Sequence, residues 1–196
     1  MHLQQNQIII LGAVGFFTVV MVLNGILKSG KTPIMDAAMK GDGRRIAGLL
    51  KGGADINKPN AMGATPLIFA AQAGHRAVVD YLLSKGANVN AIEGERKVNK
   101  TGFTALMHAA QQGHVEIVRH LLEKGADMKV KTNLGQTALM LAAHKGKAAV
   151  VQALIDAGAD VHEKDSTGLK AWNWAQEGRD PDTMAILKKI TLKDFL

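Results

Sequence analysis

Gly25-Ile26-Leu27-Lys28-Ser29-Gly30-Lys31-Thr32 matches GxxxxGK[ST], the pattern of a phosphate-binding loop. In that chemistry backbone N–H groups cradle a nucleotide's phosphates. Lys31 would reach the terminal phosphates and Thr32 would hold magnesium. An apolar run precedes the motif and a helical pattern follows it. The chemistry also needs a sheet around the loop and a second strand ending in an acid. The rest of the chain is committed to helices, so the match is not read as a nucleotide site. The enzyme alternative would be a nucleotide hydrolase relying on Lys31.

Other reactive groups point the same way. Cysteine is absent, which removes disulfides and thiolate nucleophiles. His75 and His114 occupy one slot, each just after a glycine that ends a helix, and read as structural. His108, His120, His144 and His162 form no HxxxH pair of the kind zinc sites use. The carboxylates are scattered, and those in the Gly-Ala-Asp segments serve turns. No catalytic residue, cofactor or metal is expected.

The elements that position these residues repeat. Thr32-Pro33-Ile34, Thr65-Pro66-Leu67, Thr104-Ala105-Leu106 and Thr137-Ala138-Leu139 recur at spacings of 33, 39 and 33, and Gly168 follows Gly135 by 33. Each Thr stands where a helix needs an N-cap. Pro33 and Pro66 suit the first turn, where a missing N–H is harmless. The pairs Ala37-Ala38, Ala70-Ala71, Ala109-Ala110 and Ala142-Ala143 keep this helix thin. Gly41, Gly74, Gly113 and Gly146 end it. A second helix carries apolar quartets: Val78, Val79, Leu82, Leu83; then Ile117, Val118, Leu121, Leu122; then Val150, Val151, Leu154, Ile155. Gly53, Gly86, Gly125 and Gly158 close it.

This pattern, TPL–AA–G–LL–GAD–N, resembles the ankyrin-repeat family over about residues 30–190. The resemblance implies a stack of helix pairs with projecting loop fingers, here an all-α solenoid of four repeats and a degenerate C-terminal cap repeat; the N-terminal transmembrane helix expected before it rests on the apolar run at 8–27. The units run at about 30–62, 63–101, 102–134 and 135–167, with the cap at 168–196. There are departures. Met35, Ile68, Met107 and Met140 stand where the family usually has histidine, which removes that residue's local hydrogen bonding. Arg45 replaces an apolar position in the first unit, as suits a terminal repeat facing water or headgroups. The fifth unit has Lys170 for Thr and Trp172 for Leu, as suits a cap that closes the last apolar face. Ala91–Thr101 lengthens the loop between the second and third units. A functional finger and a neutral insertion both remain open there.

Residues 1–27 carry no Asp, Glu, Lys or Arg, although the whole chain has a net charge of +7. Ile8–Leu27 has only Thr18 and Asn24 as polar residues, and twenty helical residues span about 30 Å, a bilayer core. The rival signal peptide would need a basic start and a small-residue cleavage site, and neither is seen. Residues 1–7 are thus read as extramembrane, 8–27 as the span, 28–31 as a linker and 32–196 as the repeat domain. Lys28, Lys31, Lys40, Arg44 and Arg45 follow the span, so the positive-inside rule places the repeats in the cytoplasm. From Leu27 to Thr32 the chain reaches at most about 18 Å, which holds the first repeat at the membrane. Lys28, Lys31, Arg44 and Arg45 are read as membrane-surface residues beside anionic lipid or a membrane partner. The basic residues elsewhere are interleaved with acids and lack aromatics between them, so nucleic acid is not expected.

In the family, partners meet the finger loops and the first helices. The resemblance places that surface on Met62, Ala64, Gln72, Phe103, Gln111, Gln112, Leu134, Gln136, His144, Lys145 and Leu169. Met62, Phe103, Leu134 and Leu169 would form an apolar row along the fingertips, or else tuck against neighbouring fingers. The resulting reading is a single-pass, membrane-anchored protein–protein interaction scaffold. Its partner would be an integral membrane protein or complex that it serves as an accessory or assembly subunit, with no small-molecule substrate. The alternative is a periplasmic or secreted ankyrin protein with a stress or protective role.

Overall fold

A computed structural model describes residues 30–94 and 102–193. The expected membrane span at 8–27, and Lys28 with it, lie outside the described residues. Among the described residues no helix is long and apolar enough to cross a membrane.

Among the described residues ten helices form five pairs. They are α1 (Pro33–Met39) with α2 (Gly43–Lys51), α3 (Pro66–Ala73) with α4 (Arg76–Ser84), and α5 (Ala105–Gln112) with α6 (Val115–Glu123). The series closes with α7 (Ala138–His144) beside α8 (Ala148–Asp156), and α9 (Ala171–Gly178) beside α10 (Pro181–Lys193). The odd-numbered helices pack on one another in one row and the even-numbered helices in a second.

Local chemistry sets the ends of these helices. Thr32, Thr65, Thr104 and Thr137 all hold the extended N-cap conformation. Thr104 and Thr137 accept from the N–H groups of Met107 and Met140. The Thr32 and Thr65 hydroxyls are buried without a partner among the described residues. Both precede a proline, whereas Thr104 and Thr137 precede alanine; all four units carry an apolar residue where the resemblance would put histidine. Met35, Ile68, Met107 and Met140, which fill that place, are all buried in the core. Apolar volume has replaced a polar contact there.

The alanine pairs of the first four repeats are completely buried. A methyl group is all that fits between neighbouring first helices, which is why the sequence is so restricted there. The second helices supply bulk: Val78, Val79, Leu82, Ile117, Val118, Leu121, Val150, Val151 and Leu154 are buried, each contributing about 1.5–3 kcal/mol. Leu83, Leu122 and Ile155 complete the quartets from partly buried positions. In the first repeat only Ile46 of α2 is buried, and Arg45 is exposed and paired with Asp36 at 3.2 Å. In the cap, Leu187 takes the place of Leu154, but Thr183 takes that of Val150.

The long loop builds something absent from the helical reading. Ile92–Glu93 (β1) pairs antiparallel with Phe103–Thr104 (β2), with Ile92 opposite Thr104 and Glu93 opposite Phe103. The two paired strands flank the insertion, and β2 leads directly into α5. Neighbouring fingers are also joined by backbone bonds, from Gly94 N–H to the Met62 carbonyl at 2.7 Å and from Ser166 N–H to the Leu134 carbonyl at 3.0 Å. A Cβ on Gly63 would sit 2.8 Å from the Gly94 nitrogen, so that joint needs glycine.

Candidate partner-binding face

Besides the Ala pair, two further residue positions recur on the first helices from repeat to repeat. One lies seven or eight residues after the Thr cap. There Gln72, Gln112 and Lys145 are exposed, and Gln111 and His144 are partly buried. The other lies four residues after the cap: Asp36, Phe69, His108, Leu141 and Trp174. Residues three or four apart share a helix face, so the two positions form one strip.

That second position was not among the expected site residues, yet it organises the strip. The Lys31 ammonium lies 5.3 Å from the centre of the Phe69 ring. His108 Nε2 meets a Glu93 carboxylate oxygen at 2.8 Å, which ties the hairpin base to α5, and the His108 ring lies 5.0 Å from Phe103. His144 packs edge-on against Trp174 at 5.2 Å, and the Trp174 indole donates to Asp165 at 2.9 Å. The signal that would have revealed the position was available. Residue type varies there from repeat to repeat while its register from the cap stays constant.

The fingertip residues differ in how open they are to water. Leu134 is 56% exposed and is the large apolar side chain most open to water among the described residues. Met62, Phe103 and Leu169 are partly buried. Phe103 packs on the core through β2 and His108. Ala64 is buried, which corrects its placement on the partner surface. Its N–H and that of Met62 donate to the Asn60 carboxamide, so the turn draws both inward. Gln136 is partly buried, and its backbone carbonyl and N–H bond Thr132.

Asp165 anchors the last finger. Burial pushes its carboxyl up, but donation by the Thr167 hydroxyl, the Leu169 and Thr167 N–H groups and the Trp174 indole outweighs that. The carboxyl is therefore held below its ordinary value.

Several of the residues singled out for chemistry make structural contacts. Thr32 is the cap of α1, and Lys31 lies on Phe69; residues 25–29 of the loop motif lie outside the described residues. His75 and His114 each reach back to a carbonyl of the preceding first helix, Met39 at 2.9 Å and Gln72 at 3.2 Å. His120 faces Asp80 at 3.1 Å and Glu123 at 3.4 Å. Among the described residues no group of three potential ligands is arranged to hold a metal. Of the membrane-surface set, Lys31, Arg44 and Arg45 are all exposed on the first repeat.

A protein-family model described as ankyrin repeats (3 copies) matches residues 16–93 and 91–165. No curated protein matches the chain.

Proposed function

Because the chain belongs to the ankyrin-repeat family, we propose that it is a membrane-anchored scaffold that binds another protein at the membrane surface. Ankyrin repeats point to protein partners. The finer reading is an accessory or assembly subunit of a membrane complex, with the repeats on the cytoplasmic side. The observation that carries it is a short distance in sequence. The uncharged run ends at Leu27, and the first helix is capped at Thr32. A span at 8–27 therefore leaves the first repeat no room to move away from the bilayer. Its exposed Lys31, Lys40, Arg44, Arg45 and Lys51 suit anionic headgroups, at about 1 kcal/mol for each charge near the surface.

Two results test the reading. Alkaline extraction of native membranes should leave the full-length chain in the pellet; release into the supernatant would remove the anchor. Purification in mild detergent should bring along a stoichiometric integral membrane protein, identified by mass spectrometry. A chain that purifies alone would argue against the subunit role.

A further inference from the structure

The loops that follow the second helices are joined by asparagine side chains, and one joint in the series lacks its asparagine. Asn57 donates to the Gly86 carbonyl at 3.1 Å and accepts from Asn88 N–H at 2.8 Å. One repeat on, Asn90 does the same to Gly125 and Asp127, at 3.1 and 2.9 Å. The next residue in this series is Lys129. Its backbone repeats the turn, its N–H donating to Asp127 at 2.8 Å as Asn57 N–H donates to Asp55. Its side chain has no carboxamide. The Gly158 carbonyl and Asp160 N–H therefore face this joint without the side-chain bridge that the two earlier joints have.

A cleft of about 370 Å³ opens at that joint. Met128, Leu139 and Leu154 form apolar wall, and Lys129, Asp160 and Glu163 supply the polar edge. Lys131 pairs with Glu163 and donates to the Lys164 carbonyl, so the loops stay tied on one side of the gap. An anionic ligand would meet Asp160 and Glu163. A cation would meet Lys129. A neutral group that donates and accepts side by side fits the Gly158 carbonyl and the Asp160 N–H, for which no hydrogen bond is seen among the described residues.

We propose that this cleft receives an asparagine side chain of a partner protein, which supplies the bridge that Lys129 leaves out. The volume admits the carboxamide together with some of its flanking backbone. This contact is separate from the fingertip and inner-helix face.

The test is a titration of the full-length protein with N-acetyl-asparagine methylamide, read at the Asp160 backbone amide by NMR. The aspartate and alanine analogues serve as controls. The asparagine probe should shift Asp160 saturably, and both controls should bind at least about tenfold more weakly, because each loses one or both hydrogen bonds. Lys129→Asn should restore the internal bridge, move the Asp160 resonance without ligand, and weaken the probe at least about tenfold. Lys129→Met leaves the gap unbridged and should retain binding, which separates occlusion from misfolding. Absence of a saturable shift would overturn the proposal. So would an aspartate analogue binding within about threefold of the asparagine one, or unchanged binding to Lys129→Asn.

Discussion

Single side chains separate recognition from stability on this surface. Leu134 projects into water from a finger whose backbone is held by Ser166, so Leu134→Ser removes apolar contact area without opening the core. Stability should change by less than about 0.5 kcal/mol, while co-purification of the partner is lost. Retention of the partner at parental levels would remove Leu134 from the interface. Phe103→Ser would be a poor substitute, because Phe103 also packs on His108 and the core. Asp165 behaves in the opposite way. Its carboxyl is held below the ordinary value of 3.8, so its contribution to stability is fully present above that value. The contribution disappears as pH falls through the lower folded value. Asp165→Asn should cost about 1–3 kcal/mol at neutral pH, since the buried turn and the Trp174 indole lose a charged acceptor. Denaturant unfolding at several pH values should show a weaker acid dependence in the variant than in the parent.

Helix ends and helix contacts carry the next level of constraint. Arg179 ends α9 at φ 55°, in the left-handed region where the earlier repeats place glycine. The fifth unit's glycine falls one residue earlier, at Gly178. Arg179→Gly should raise stability by about 1 kcal/mol, less the extra chain entropy of glycine; a lower melting temperature would contradict the strain. The Ala pairs impose the reverse limit. Ala109 is completely buried between neighbouring first helices, so Ala109→Leu should destabilise by about 1–3 kcal/mol or more through overpacking. The measurement is the urea midpoint, and an unchanged value would mean that the stack can spread.

Across the whole molecule, stability accumulates from repeat to repeat and the two ends are treated differently. The first repeat buries one residue of its second helix and turns Arg44, Arg45 and Lys51 outward. The last repeat substitutes Lys170 for the Thr cap, and Asn173 accepts from the Lys170 N–H at 3.0 Å. Reversing Arg44 and Lys51 to Glu should weaken association of the full-length protein with anionic vesicles, and added salt should reduce the difference from the parent. Equal binding of parent and variant would separate the first repeat's charge from the membrane.

The repeat register, the Thr caps, the helix-ending glycines, the stacked alanines and the slot of His75 and His114 were all legible in the sequence. Each depends on local backbone geometry or on a volume limit that recurs every repeat, so periodic residue identity reports it directly. The uncharged run at 8–27 is likewise a property of the sequence. Tertiary structure decided which outward-facing residues are open. Met62, Phe103, Leu134 and Leu169 look alike in sequence, but only the neighbouring finger determines how much water each one meets. Ala64 turned inward because Asn60 folds its turn. The pairing of Ile92–Glu93 with Phe103–Thr104 needed two segments on either side of the insertion to meet, and the cleft beside Lys129 needed the next loop to leave two backbone groups facing it. Exposure and pairing are relations between segments, and they come into being only when the repeats stack.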